Sequence, residues 1–233
     1  MVNKNSMFIV GVVFIIITII LIIFSSYNQK MIYDNDIYYD PANFHSFDNL
    51  QLNYLKIKDE AMHVYKNTPV LDISRKYDDW KYLSDDYING LKNKLGWIGS
   101  WKKVESDEKN DKWLNYGLFY YGHWFDENIK LCPNTYKLLK EIEPKLNIVG
   151  FSLMKANSKI PPHVDTTGKN TNSLTYHLGL IVPNPTGSCE LTVKGLNVAE
   201  ENGKSIIFDS NYEHSATNDS NYDRIILYID FKI

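Results

Sequence analysis

Residues 174–182 read Leu-Thr-Tyr-His-Leu-Gly-Leu-Ile-Val, an apolar run with one imidazole, His177, near its centre. Its β-branched and aromatic residues, closed off by Pro183, Asn184 and Pro185, predict a strand. Five runs of the same character surround it: Ile148–Lys155, Cys189–Val193, Ser205–Phe208, Glu213–Thr217 and Arg224–Phe231. Each is bounded by Gly, Pro, Asn or Asp, and no long helical period separates them. Short strands at this spacing predict an antiparallel sandwich or barrel, jelly roll included, for residues 148–233.

Upstream the pattern changes. Trp113–Tyr121 (WLNYGLFYY) predicts one more strand. Pro133–Glu141 predicts a short helix, with Asn134 its candidate cap and Pro133 just ahead. From Asn49 to Lys66, Leu50, Tyr54, Ile57, Ala61, Val64 and Tyr65 recur at helical spacing, and Pro69 limits that helix. Glu105–Lys112 (ESDEKNDK) reads as an exposed loop, and residues 25–42, polar and tyrosine-rich, as a stalk.

The amino-terminal segment differs again. Met7–Phe24 carries no charge, and only Gly11 and Thr18 interrupt its apolar run. Backbone groups in hydrocarbon must bond internally, so such a run predicts a spanning helix, roughly 27 Å long at about 1.5 Å per residue. It exceeds the apolar stretch of a typical cleaved signal and lacks a small-x-small cleavage pattern, so an uncleaved anchor is expected. Lys4 lies on one side, and Lys30, Asp34, Asp36 and Asp40 on the other. That charge pattern leans toward a cytoplasmic amino terminus and a lumenal or extracytoplasmic remainder, with which the sequon Asn218-Asp219-Ser220 agrees. The expected organisation is an anchor over residues 1–30, a stalk and helical support over 31–112, and a β core over 113–233.

Charge and cysteine content exclude several classes. Lysine plus arginine (25) nearly balances aspartate plus glutamate (28), which argues against a nucleic-acid binder. With 44% hydrophobic residues the chain can bury a core, so global disorder is excluded. Cys132 and Cys189 are the only cysteines, which excludes a disulfide framework or a cysteine-rich zinc site and leaves room for one bridge. There is no Walker loop, nucleophile elbow or dinucleotide fingerprint.

Three of the six histidines, His163, His177 and His214, lie in the β region. His163 and Asp165 are two residues apart, so in an extended segment they point to the same side. His214 is distant enough to come from another strand. Two imidazoles and one carboxylate on one face leave three adjacent positions of an octahedral ion open. That suits a non-haem Fe(II) oxygenase, which must hold an oxoacid and O₂ together. The bland alternative is a pair of ordinary hydrogen-bonded histidines, since a lone His-x-Asp arises readily by chance. Arg224, at the start of the last strand, could pair bidentately with a carboxylate, and Ser152 could donate to the same anion. His177, in an apolar strand, needs either a core hydrogen bond or a ligand.

Several of these stretches resemble the aspartyl/asparaginyl β-hydroxylase family of Fe(II)- and 2-oxoglutarate-dependent oxygenases. They are Gly150-Phe151-Ser152, Pro162-His163-Val164-Asp165, His177-Leu178-Gly179-Leu180-Ile181-Val182-Pro183, Gly203-Lys204-Ser205-Ile206-Ile207-Phe208-Asp209, Tyr212-Glu213-His214 and Asp223-Arg224-Ile225-Ile226. Cys132-Pro133-Asn134-Thr135 is similar to the family's Cys-Pro-x-Thr turn. The resemblance runs from about Trp113 to the end, more faintly near Phe44–Glu60. It implies a double-stranded β-helix (cupin-like jelly roll) core. It also implies iron ligation by His163 and His214, completed here by Asp165, and a 2-oxoglutarate site at Ser152, His177 and Arg224. Some members, including the animal protein hydroxylases, carry Gly where Asp165 stands. The family commonly carries Arg where this chain has Thr175, so weaker binding of an acidic group at Thr175 is expected.

The implied reaction couples decarboxylation of 2-oxoglutarate to hydroxylation of an unactivated C–H, with O₂ as cosubstrate. Expected substrates are, first, the β-carbon of Asp or Asn residues in a protein or peptide, and second, a lipid acyl chain, as in the family's lipid A hydroxylases. The third alternative is an anchored binding or structural barrel whose site has decayed. His45, His63 and His123 are expected at the surface. Trp97, Trp101 and Trp113 are expected to pack the helical part on the barrel, and Tyr176 and Tyr228 to line core or pocket.

Overall fold

The strand expected around His177 forms over Ser173–Ile181, and both strands beside it are remote in sequence. The computed structural model describes residues 37–71, 90–99, 112–165 and 172–233. Residues 36–233 make one compact unit.

The described structure begins with β1 (Tyr38–Tyr39), α1 (Asp48–Leu52) and α2 (Tyr54–Asn67). Then come β2 (Ile98–Gly99), β3 (Trp113–Tyr120), β4 (His123–Trp124), α3 (Asp126–Lys130) and α4 (Pro133–Glu141). The β core follows as β5 (Leu146–Met154), β6 (Ser158–His163), β7 (Ser173–Ile181) and β8 (Cys189–Val193). It ends with β9 (Leu196–Ala199), β10 (Ser205–Phe208), β11 (His214–Asn218) and β12 (Arg224–Lys232).

A larger sheet has the order β1-β10-β7-β12-β5-β3-β2, with β4 on β3; a smaller one has the order β6-β11-β8-β9. From β5 onward the chain passes back and forth: β6 in the smaller sheet, β7 in the larger, β8 and β9 in the smaller, then β10, β11 and β12 alternately. All these pairings are antiparallel. That order is the double-stranded β-helix, and the protein is mainly β.

Strand alternation gives the larger sheet two different faces. Along β12, Ile225, Leu227 and Ile229 join the main core, where Phe151 and Leu153 of β5 and Tyr176 and Leu178 of β7 meet Leu50, Ile57, Ala61 and Val64 from the helices. The alternate residues Arg224, Ile226, Tyr228 and Asp230 instead line a cavity that His163 of β6 and His214 of β11 also line. Helices thus cover one face of the larger sheet, and the smaller sheet closes a site over the other.

Local sequence explains where expectation and structure part. The helix expected over Asn49–Lys66 breaks into α1 and α2 at Asn53, whose side-chain amide donates to the Asn49 carbonyl at 2.9 Å and competes with the helical ladder. Thr68, held extended by the following Pro69, stops α2. Over Pro133–Glu141 the helix forms as expected, but Cys132 is its cap residue and Pro133 occupies the first turn. Asn134 is no cap. The orphan amides of Asn134 and Thr135 are instead taken by Glu60 of α2, at 2.7 and 2.9 Å. Strand β6 escaped notice because it contains Pro161 and Pro162, which are tolerated where a strand is at a sheet edge. Strand β9 is joined to β8 through Lys194 and Gly195, both at positive φ, the backbone of a two-residue hairpin turn.

The membrane anchor needs correction. Among the described residues no helix is long and apolar enough to cross a membrane. The run at 7–24 lies outside those residues, as does the stalk up to residue 36. A span needs a formed helix whose backbone groups all bond internally; no such helix is found among the described residues, so the location drawn from hydropathy is withdrawn. The sequon gives no support either: Asn218 is fully buried, and its amide donates to the carbonyls of Tyr222 and Lys155. Cys132 and Cys189 are both buried and free, without a bridge.

Candidate functional site

His163 ends β6 and His214 begins β11, and the two are register partners across that antiparallel ladder. Cross-strand partners stand side by side on one face, and their ring centroids are 4.2 Å apart. Asp165 lies just past the end of β6, where its backbone N–H donates to the Ser210 carbonyl at 3.1 Å. Its carboxylate reaches both rings: Oδ1 is 3.5 Å from His163 Nε2, and Oδ2 is 3.5 Å from His214 Nε2. One ligand atom from each of the three residues lies within 4.8 Å of the others.

The opposite ring nitrogens fix the chemistry of that cluster. His163 Nδ1 is 2.8 Å from the Pro161 carbonyl and His214 Nδ1 is 2.9 Å from the Tyr212 carbonyl. A carbonyl only accepts, so Nδ1 carries a proton; a second proton on Nε2 makes the ring a cation that donates to Asp165, and its release leaves the Nε2 lone pair on that side. Burial alone would raise the Asp165 pKa, but the hydrogen bond to His214 and the two imidazoles hold it below the usual carboxylate range. Tyr228 donates its hydroxyl to Asp165 Oδ2 at 3.3 Å. Burial, and then Asp165, push the Tyr228 hydroxyl well above its ordinary pKa, so it stays a donor.

These groups open on a cavity of about 280 Å³ that Ser152, His177 and Arg224 also line. The Ser152 oxygen accepts from Trp113 Nε1 at 3.1 Å, which leaves its own O–H to donate. Trp113, expected to pack helices on the barrel, sits in the cavity wall instead, its ring centroid 5.8 Å from that of His163. Thr175 is fully buried on β7, on the same face as His177, and its backbone pairs with Asp230. Tyr228 lines the cavity, whereas Tyr176 stacks on Phe47 in the core. Trp97 is buried against Tyr116, as expected, and Trp101 lies outside the described residues.

Two acidic residues went unnoticed in the sequence. Glu200, directly after β9, takes Arg224 in a bidentate pair, at 2.5 Å to Nε and 2.6 Å to Nη2. The Arg224 charge outweighs the burial penalty and holds the Glu200 pKa at about 2. Asp230 lines the cavity, bonded to the Asn147 amide at 2.6 Å. Burial and the Asp165 charge push its pKa up to about 7. Neither stands in a recognisable motif; the one available signal was the acidic Asp230 within the largely apolar run of the last strand.

Most of the rest of the cavity is apolar, with Asn115 and Ser215 as polar exceptions. Leu91, Ile98, Tyr120 and Phe125 pack on one another and line it, together with Phe119, Ile148 and Val149.

Comparison with known proteins bears on the whole of this region. A family model described as aspartyl/asparaginyl beta-hydroxylase matches residues 77–233, which is more than half of the chain. The chain belongs to the aspartyl/asparaginyl β-hydroxylase family.

Relatives of this β-hydroxylase family member differ in reach. An uncharacterized protein, L888, of Acanthamoeba polyphaga mimivirus is 30% identical and covers 88% of this chain and 71% of its own. The ornithine lipid ester-linked acyl 2-hydroxylase of Rhizobium tropici is 34% identical over 55% of this chain and 44% of its own. The aspartyl/asparaginyl beta-hydroxylase of Mus musculus is 28% identical over 65% of this chain. Against those two hydroxylases the chain spans only 44% and 20% of their lengths. Among solved structures, the Schizosaccharomyces pombe Cnp3 cupin domain is 12% identical with a TM-score of 0.36, covering 57% of this chain and 70% of that one. The strand order given above, and not that likeness, carries the fold assignment.

Proposed function

We propose that this β-hydroxylase family member is an Fe(II)- and 2-oxoglutarate-dependent hydroxylase of unactivated C–H bonds. The observation that supports it is the convergence of His163, Asp165 and His214 on one point of one cavity. Two imidazoles and one carboxylate, each with a ligand atom within 4.8 Å of the others, form the donor set that suits Fe(II) and leaves adjacent positions open. The decayed-barrel alternative predicts a broken donor set, which is not the one present.

An oxoacid also fits. Arg224 Nη1 is buried without a hydrogen-bond partner among the described residues, a donor that a carboxylate would satisfy. Ser152 and His177 line the same cavity and could hold that anion's other oxygens. When bound, iron and 2-oxoglutarate supply the oxidising power: O₂ gives one oxygen atom to the substrate C–H and one to succinate, with loss of CO₂. The chain's own work is to fix geometry and exclude water. Backbone carbonyls lock both ligand rings, Tyr228 pins Asp165, and the apolar wall keeps the reacting C–H dry.

The lining favours an aliphatic chain as substrate. Leu91, Ile98, Phe119, Phe125 and Ile148 offer surface to methylenes. The charged residues of the wall are Asp165, Asp230 and an arginine already paired with Glu200, poor company for an aspartyl carboxylate. The second reading, a β-carbon of Asp or Asn in a peptide, is favoured by the description of the matching family.

The protein with Fe(II), ascorbate and 2-oxoglutarate should form succinate, and mass spectrometry should find one added oxygen in acyl-lipid substrates. One oxygen added to Asp- or Asn-containing peptides alone would select the second reading. No succinate with either substrate set would overturn the proposal.

A further inference from the structure

Glu200 sits behind the cavity wall that Arg224 helps to form. Arg224 and His177 line the cavity, whereas Glu200 is not among its lining residues and is only 2% exposed. The Glu200 backbone N–H is tied to the Cys189 carbonyl at 2.9 Å. Its side chain then does two things at once. The carboxylate engages Nε and Nη2 of Arg224, the side-on fork of the guanidinium, and Oε1 also lies 3.4 Å from His177 Nδ1. A guanidinium held by that fork has one direction left for its third nitrogen. Nη1 has no hydrogen-bond partner among the described residues, and neither has His177 Nδ1, whose approach to Glu200 at 3.4 Å is an electrostatic contact and not a hydrogen bond. A ring whose Nδ1 faces Glu200 likewise turns Nε2 away from Glu200.

Glu200 reaches this place because β7 has a glycine there. A Cβ on Gly179 would lie 2.0 Å from the Glu201 carbonyl oxygen, so only glycine lets this segment lie on the strand. The contact is sealed by Gly203 N–H donating to the Gly179 carbonyl at 2.8 Å and by Gly179 N–H donating to the Lys204 carbonyl at 3.0 Å.

We infer that Glu200 is a positioning residue for the oxoacid cosubstrate, aiming Arg224 Nη1 and the His177 ring at one bound carboxylate. This rests on the cosubstrate proposed above. A carboxylate so close to the clamp has a rival role, that of a resident competitor for Arg224, and the two roles have opposite signs in binding.

The test titrates 2-oxoglutarate into Mn(II)-loaded full-length protein by calorimetry, comparing wild type with E200Q, E200D and R224K, with thermal melts of each. E200Q is expected to weaken 2-oxoglutarate binding about tenfold, the loss of one well-aimed charge-assisted contact. Its Mn(II) affinity should be unchanged, which a merely structural collapse would not allow. E200D should recover part of the loss, and it carries the test if E200Q does not fold. Unchanged or tighter 2-oxoglutarate binding in the folded Glu200 variants, with R224K weakened, overturns the positioning role alone. Wild type that binds no 2-oxoglutarate, or R224K that binds it normally, overturns the cosubstrate and this inference with it.

Discussion

His163 and His214 are cross-strand partners on β6 and β11, so a single register pair supplies two of the three converging ligand atoms. A slip of one residue in that ladder would turn one ring to the opposite face of the sheet. The two strands are therefore part of the proposed metal site as much as the side chains are.

The first prediction follows from that pairing. His214→Ala and Asp165→Asn should abolish succinate formation and lower Mn(II) affinity by at least about tenfold, the scale on which even outer partners of a metal ligand matter. Calorimetric metal titration checks it. Wild-type affinity in both folded variants would refute the site.

Asp230 predicts a pH dependence in the metal-free protein. Its carboxyl is pushed up to about 7, by burial first and by the Asp165 charge as well, against the pull of the Asn147 amide. Between about pH 4, where the unfolded carboxyl titrates, and pH 7, the folded protein holds a proton that the unfolded chain releases. This contribution to stability is therefore whole below pH 4 and is lost as pH rises to 7, at up to about 1.4 kcal/mol per pH unit. Urea midpoints of wild type should fall between pH 5 and pH 8 relative to those of Asp230→Asn. A constant difference between the two proteins would refute it.

Glu60 predicts a stability effect remote from the chemistry. Its two oxygens accept from the backbone amides and side chains of Asn134 and Thr135 at 2.6–2.9 Å, at the start of α4. Glu60→Ala strips the buried Thr135 donors and the part-buried Asn134 donors of this carboxylate and should cost about 2–4 kcal/mol. Chemical denaturation measures the loss, and Mn(II) affinity of the folded variant should stay at the wild-type value.

Gly179→Ala puts a methyl group where a backbone oxygen already lies. The expected cost is about 1–3 kcal/mol or more, because the obstacle is main chain and cannot rotate away. The same variant should weaken 2-oxoglutarate binding as the segment bearing Glu200 is pushed off β7. Denaturant midpoints and the calorimetric titration read the two effects separately.

Much of the β core was legible from local pattern. Cys189–Val193 and Ser205–Phe208 form with the boundaries their composition predicts, and the other expected strands shift by only a residue or two. The hidden elements are those whose stability is not local. Strand β6 carries two prolines and is held by one neighbour, and β9 is largely exposed at the other edge. Glu60 and Asn134 are 74 positions apart, so no reading of either segment alone reveals the cap.

At the site, residue type and spacing picked out His163, Asp165 and His214, which the fold brings together, because the side chains able to ligate a metal are few and stand out in residue identity. The occupants of the clamp were a different matter. Arg224 reads in sequence as a cation free to take a cosubstrate, and only the folded chain reveals Glu200 already on two of its nitrogens. The sequence by itself determined the strand-rich core, the donor set and the family motifs, since these follow from side-chain chemistry and period-2 alternation. Tertiary structure decided which face each strand turned to the cavity, that most of the wall is apolar, that Asp230 lines it and that Glu200 stands behind it. Those depend on pairings between segments far apart along the chain, whose energy no local stretch contains.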